Sequence, residues 1–143
     1  MKLKRSGFTL IEIMLVVILI GILASIAVPR LTGRTEEARI STARSDIQGA
    51  LSMVLDLYEL DARRFPTTEQ GLKALVEKPS LPPEPLNWKG PYLKKQAMPQ
   101  DPWGNEYHYT CPGRNNEDYD LSSSGPDGIM GNEDDINNWD NQD

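Results

Sequence analysis

Carboxylates are the most concentrated chemical resource of this 143-residue chain: Asp120, Asp127, Glu133, Asp134 and Asp135 fall within sixteen residues, interleaved with Gly125, Gly128 and Gly131. Hard cations such as Ca2+ take roughly six to eight oxygens from carboxylates and backbone carbonyls, and glycine lets a loop turn tightly enough to aim its carbonyls inward. The composition suits a calcium loop. It is not an EF-hand, because the third position counted from Asp127 is Ile129 and no helix pair flanks the segment. Nor is one GPDGIMGNEDD run a repeat array. Carboxylate-rich turns also occur as plain solvated surface, so the residues alone leave two readings open, a cation site and an acidic loop in water.

Other chemistries find less support. Paired carboxylates do the work of glycosidases only in an enclosed cleft that raises one pKa, and nothing here supplies one. His108 stands alone, without a Ser, Cys or metal constellation around it. Cys111 is the only cysteine, which excludes an intramolecular disulfide and a Cys-rich metal site. Trp88, Trp103 and Trp139 read as cover for a small core, Trp139 equally as a subunit contact. The net charge of -6 is unevenly spread. Residues 1–100 hold fourteen of the 15 Lys/Arg and ten of the 21 Asp/Glu, so residues 101–143 hold one basic residue, Arg114, against eleven acidic ones. Phosphate binding needs a basic footprint, so nucleic acid is excluded as a partner.

Glu12 is a carboxylate of another kind. It is the one charge in Phe8–Val28, FTLIEIMLVVILIGILASIAV. As a helix rising about 1.5 Å per residue this run reaches roughly 30 Å, a bilayer's hydrocarbon thickness. Before it stand Lys2, Lys4 and Arg5, the basic start of an export signal. An ordinary signal peptide would be cut near Ala27, but a carboxylate costs ~2.5–3.5 kcal/mol at the centre of an inserting helix, somewhat less near its end. A disposable segment has no reason to carry that cost.

The run SGFTLIEIMLVVILIGILASIAVP resembles the class III signal of type IV prepilins and pseudopilins, without a gap over residues 1–29. The resemblance implies a leader, residues 1–7, removed after Gly7 on the cytoplasmic side by a prepilin peptidase. It implies methylation of the new amine on Phe8, with Glu12 as the fifth mature residue. A buried anion needs a cation, so in a filament of parallel helices Glu12 is expected beside the Phe8 amine of a neighbouring subunit. Such a pair specifies register, because a misaligned Glu12 is left unpaired in a dry environment.

The elements that position these groups follow from periodicity. Pro29 ends the apolar run, residues 8–29, without having to end the helix. Beyond it Ile40, Ala43, Ile47, Ala50, Leu51, Val54 and Tyr58 recur at steps of mostly three and four, predicting an amphipathic helix over residues 30–62 that continues the first. In RFPTTEQGLKALVEKP, Thr67 or Thr68 caps a short second helix that Pro79 stops. Pro82, Pro83, Pro85 and Pro91 make residues 79–105 mostly loop, and strands are predicted at Glu106–Thr110 and Tyr119–Ser122. The expected fold class is α+β: a long N-terminal helix with a small antiparallel sheet, residues 63–143 forming the globular region.

The stretches PTTEQGLKAL, GPYLKK, DPWGNEYHY and YDLSSSGPDGIMGNEDDINNW are similar to those of the major pseudopilins of type II secretion systems. Type IV pilins of surface fibres share only the N-terminal part, and many close a C-terminal loop with two cysteines, which Cys111 alone cannot do. The resemblance implies a structural subunit, without catalytic residues, of a periplasmic pseudopilus that helps folded proteins across the outer membrane. It implies an inner-membrane anchor with a cytoplasmic N-terminus, and as partners other copies of itself, minor pseudopilins and an inner-membrane assembly platform. It also implies that the acidic loop binds Ca2+, with Asp127, Asp134 and Asp135 as side-chain ligands, Leu121 and Ser124 as contributors and Met130 through its backbone. The rival readings are a surface-fibre pilin and a membrane-anchored calcium-dependent binding module.

Overall fold

The computed structural model describes residues 8–94 and 97–140, with the side chains of 25–33 outside the description. Two compact units meet at Glu37/Ala38. The first holds the start of helix α1 (Leu10–Ser45). Its entry is a capping box: the Thr9 backbone N–H donates to Glu12 Oε2 at 3.4 Å, and the Glu12 N–H donates to Thr9 Oγ1 at 3.3 Å. Thirteen large apolar side chains between Phe8 and Leu23 are each at least 47 % exposed. An amphipathic helix would hide one stripe; the segment up to Leu23 hides none.

The second unit opens on the end of α1, which passes into a π-helical turn (Asp46–Leu51) and then α2 (Ser52–Ala62). Ala43, Ile47, Leu51, Leu55, Tyr58 and Ala62 are all buried, the first three steps being four residues each. In an ordinary helix each four-residue step overshoots a full turn by about 40°, so three of them would swing the stripe off the core. A π turn takes an extra residue per turn and cancels the drift. Ser52 Oγ donates to the Ile47 carbonyl at 2.6 Å, satisfying an acceptor within the widened turn. The single-period reading therefore erred by phase: Ala50 is exposed and Val54 half-buried, while Leu55 is fully buried. Each such side chain removed from water contributes roughly 1.5–3 kcal/mol.

Arg63 ends α2 in the left-handed region, at φ 61°. Thr67 and Gln70 then form a second capping box, Thr67 N–H to Gln70 Oε1 at 3.1 Å and Gln70 N–H to Thr67 Oγ1 at 3.3 Å. Thr67 is thus the cap, but the helix it opens is only a turn. Gly71 adopts φ 56° and breaks it, leaving a four-residue 3-10 segment, Leu72–Leu75. Leu72, Ala74 and Leu75 reach the core, and the Trp88 indole N–H donates to the Ala74 carbonyl at 2.9 Å.

The sheet has three antiparallel strands in the order β1 (His108–Thr110), β2 (Asp120–Ser123), β3 (Ile136–Asn137). Tyr109 pairs with Leu121, and Ser123 with Ile136. The α+β expectation holds. Tyr107, Tyr119, Leu121 and Ile136 close the core over the helical stripe. Two partly buried phenol hydroxyls tie the sheet to its surroundings: Tyr107 OH donates to Asp46 Oδ2 at 3.0 Å and Tyr109 OH to the Pro66 carbonyl at 2.8 Å. Burial raises the pKa of both phenols, Tyr109 furthest.

Candidate functional site

The acidic loop joins β2 to β3. Gly125 begins it at φ 64°, and a Cβ there would collide with the Asp134 carbonyl oxygen, so the turn and the close approach of Asp134 both require glycine. Within the loop, Asp127 Oδ1 accepts the Ile129 N–H at 2.8 Å and its Oδ2 accepts the Asn132 side-chain amide at 2.8 Å. Asp135 Oδ2 accepts the Gly131 N–H at 2.7 Å. Asp134 is half-buried, whereas Asp127, Met130 and Glu133 are exposed.

Among the described residues no three His, Cys, Asp or Glu side chains converge as a metal-holding group. The residues singled out by the sequence share one loop and its supporting strand without gathering their carboxylates around one point. Asp135 Oδ1 nevertheless is buried and has no hydrogen-bond partner among the described residues. A buried carboxylate oxygen without a donor is costly, and a hard cation is the partner that its chemistry fits. Leu121 and Ser124 are buried at 0 % and 2 % exposure, and both offer carbonyl oxygens. The Leu121 carbonyl already accepts the Asn138 N–H at 3.0 Å, which leaves one lone pair for a second partner.

Asp120, nearest in sequence to these residues, serves elsewhere. Its carboxylate accepts the backbone N–H groups of Arg114, Asn115 and Asn116 and the Asn115 side chain, all within 3.2 Å. Burial pushes its pKa up, but the N–H groups of Asn116, Arg114 and Asn115 outweigh that and hold it below the ordinary 3.8. It organises the β1–β2 connection. Two residues that sequence reasoning passed over are equally committed. Asp101, 5 % exposed, accepts from Trp103, Asn105 and Ser123. Asn138 clasps Leu121 from both sides and donates to the Tyr119 carbonyl at 3.1 Å. The Asp-Pro pair and the Trp-Gly-Asn triplet at 101–105 carry a turn signal for the first, and nothing in the pattern marks the second.

At the other end, Gly7 lies outside the described residues. Phe8 is 82 % exposed, and Glu12 is exposed in its capping box. No helix among the described residues is long and apolar enough to cross a membrane; the expected span, residues 8–29, extends into side chains outside the description.

Residues 30–139 match the family described as "Type II secretion system (T2SS), protein G", and residues 2–28 match the "Prokaryotic N-terminal methylation motif". Proteins named "Type II secretion system core protein G" are similar over nearly their whole length. That of Escherichia coli K12 is 53 % identical over 137 residues, 95 % of this chain and 92 % of the relative. That of Pseudomonas aeruginosa is 50 % identical over 142 residues, 96 % and 97 %. Among solved structures, the crystal structure of the major pseudopilin from the type 2 secretion system of enterohaemorrhagic Escherichia coli superposes with a TM-score of 0.67. It is 47 % identical, with 76 % of this chain and 89 % of that one covered.

Proposed function

Because the chain belongs to the type II secretion system protein G family, it is a structural pseudopilin, and we propose that it is the major subunit, polymerising through its N-terminal helix. The observation that carries the assembly reading is the exposure of all thirteen large apolar side chains from Phe8 to Leu23. A soluble monomer rarely shows a contiguous apolar surface of that extent; lipid before assembly and neighbouring helices after it are its natural cover. The precursor is anchored in the inner membrane with its N-terminus cytoplasmic and its C-terminal unit in the periplasm. A prepilin peptidase removes residues 1–7 after Gly7, and the Phe8 amine is methylated.

Glu12 sets the register of assembly by facing the Phe8 amine of a neighbouring copy. Its capping box with Thr9 supports this role, because it fixes the carboxylate at the helix entrance, where an amine can approach. Minor pseudopilins and an inner-membrane assembly platform are the other proposed partners. The result of assembly is export of folded proteins across the outer membrane. The chain supplies surface and geometry, with no catalytic residue.

Ca2+ is the proposed resident ion of the loop, held by Asp127, Asp134 and Asp135, with carbonyls of Leu121, Ser124 and Met130. The unpartnered Asp135 Oδ1 supports it. Bound there, the ion cancels carboxylate repulsion and keeps the loop closed over the sheet.

Mass spectrometry of the mature protein tests the processing reading: a methylated Phe8 terminus is expected, and a terminus near Val28 overturns it. Deleting the gene tests the role: loss of exoprotein secretion with twitching retained supports the pseudopilus, and the reverse supports a surface-fibre pilin. Melting the full chain in detergent with calcium and with chelator tests the ion. A higher melting temperature in calcium is expected, and equal values return the loop to solvated surface.

A further inference from the structure

We propose that Asp101 and Ser123, neither of them a cation ligand, set the calcium affinity of the loop by aiming the Ser124 carbonyl; the inference rests on the calcium reading above. Asp101 is 5 % and Ser123 0 % exposed, and Ser123 Oγ donates to Asp101 Oδ2 at 2.6 Å. A carboxylate only accepts, so the single hydroxyl proton of Ser123 is committed to it. The hydroxyl's lone pairs are left to accept the Gly125 N–H, which they do at 3.1 Å. The direction of every bond in the chain Gly125 N–H, Ser123 O–H, Asp101 carboxylate is thereby determined.

Peptide planarity extends the chain one step. The Gly125 N–H and the Ser124 C=O belong to the same peptide unit and point in opposite directions when it is trans. Holding the N–H on Ser123 holds the Ser124 carbonyl facing away from it. A ligand oxygen supplied by a glycine-flanked peptide is otherwise free to swing, since Gly125 has no side chain to resist rotation. Asp101 is itself immobilised, because its Oδ1 accepts the N–H groups of Trp103 at 3.0 Å and Asn105 at 2.8 Å. The same turn also reaches the loop a second time: a Cβ on Gly128 would lie 3.6 Å from Asn105 Nδ2. The Asp101–Asn105 turn is therefore a brace, and Asp101 and Ser123 are positioning residues.

The test is calorimetric titration of Ca2+ into the full chain in detergent, for the parent, Asp101→Asn, Ser123→Ala and the double variant, with metal-free melts beside it. Asp101→Asn keeps the size of the side chain but offers Ser123 an amide donor in place of an acceptor, which reverses that one bond, frees the hydroxyl proton and makes the amide compete with the Gly125 N–H for the Ser123 oxygen. Partners one shell out from a metal typically change affinity by about 10- to 100-fold, so weakening of about tenfold or more is expected for each single variant. The double variant should be no weaker than the worse single one, because both break the same chain. A lower metal-free melting temperature with affinity within about twofold of the parent would make the pair ordinary core hydrogen bonds and overturn the proposal. Should Asp101→Asn fail to fold, Ser123→Ala decides by the same criterion. A parent that binds no Ca2+ overturns the calcium reading itself, an outcome distinct from a parent that binds with unaffected variants.

Discussion

The two units of this chain use apolar residues to opposite ends. From Phe8 to Leu23 the apolar side chains are exposed all round the helix. From Ala43 to Ala62 one apolar stripe is buried, and Met53, Leu57 and Leu60 stay exposed beside Arg44, Ser45, Gln48, Asp56 and Glu59. The first surface is completed only by other molecules and the second is completed by the chain itself. Changes in the first should therefore alter assembly and leave folding alone, and changes in the second should do the reverse.

The sharpest break of that contrast is at Glu12. Glu12→Ala makes the helix more apolar, so insertion and processing should continue while register is lost. Filaments and exoprotein secretion should fall to the level of a gene deletion with the melting temperature of the C-terminal unit unchanged. Electron microscopy and a secretion assay read the first, a melt of the full chain in detergent the second. Normal filaments from Glu12→Ala would sink the intersubunit pairing with Phe8.

Leu55→Ala is the mirror experiment. Leu55 is 0 % exposed on the core stripe, and truncating such a side chain costs about 2–5 kcal/mol. Denaturant unfolding should show it. A smaller loss, below about 1 kcal/mol, would mean that the π turn leaves the core slack around α2.

Asp120 gives a gentler effect with a sign in pH. Because its folded pKa lies below the ordinary 3.8, its contribution is complete above that value and disappears as pH falls through the folded value. Asp120→Asn should lower the melting temperature at neutral pH, since an amide is a poorer acceptor for four N–H donors, and should narrow its gap to the parent as the medium becomes strongly acidic. A gap that stays constant with pH would assign the loss to packing alone.

The smallest effect belongs to Lys73, whose ammonium lies 3.2 Å from Glu77 with both side chains 66 % exposed. Exposed pairs of this spacing contribute about 0.3–0.5 kcal/mol, so Lys73→Ala should be nearly silent in both folding and assembly. An assembly defect would place this face in an interface and blur the division between the units.

The readability of the chain divides along the same line. The N-terminal segment is legible because its signals are linear: a run of apolar residues, one carboxylate and a basic start. β1 and β2 were also legible, to within two residues, from Tyr107, Tyr109 and Tyr119. Strand β3, two residues long, is too short to show any period. The second helix failed at Gly71, whose positive φ cuts it after its cap. In the acidic loop, composition singles out the carboxylates but cannot say which are already engaged. Asp120 looks like Asp135 on paper, yet one is surrounded by donors from residues 114–116 and the other keeps a bare oxygen. That difference is made by loop geometry, as is the reach of Asp101 across twenty-two residues to Ser123.

The π turn has a consequence for how this helix can change over generations. An added residue in an ordinary helix rotates all that follows by about 100° and scrambles its inward face. Here the widened turn absorbs the surplus. Removing Gly49 would leave the buried positions at spacings of four, three, four, three and four, the rhythm of a plain α-helix facing the same core. Descendants of this gene can thus lose one codon in that turn, or ancestors gain one, in a single heritable step and with no companion substitution.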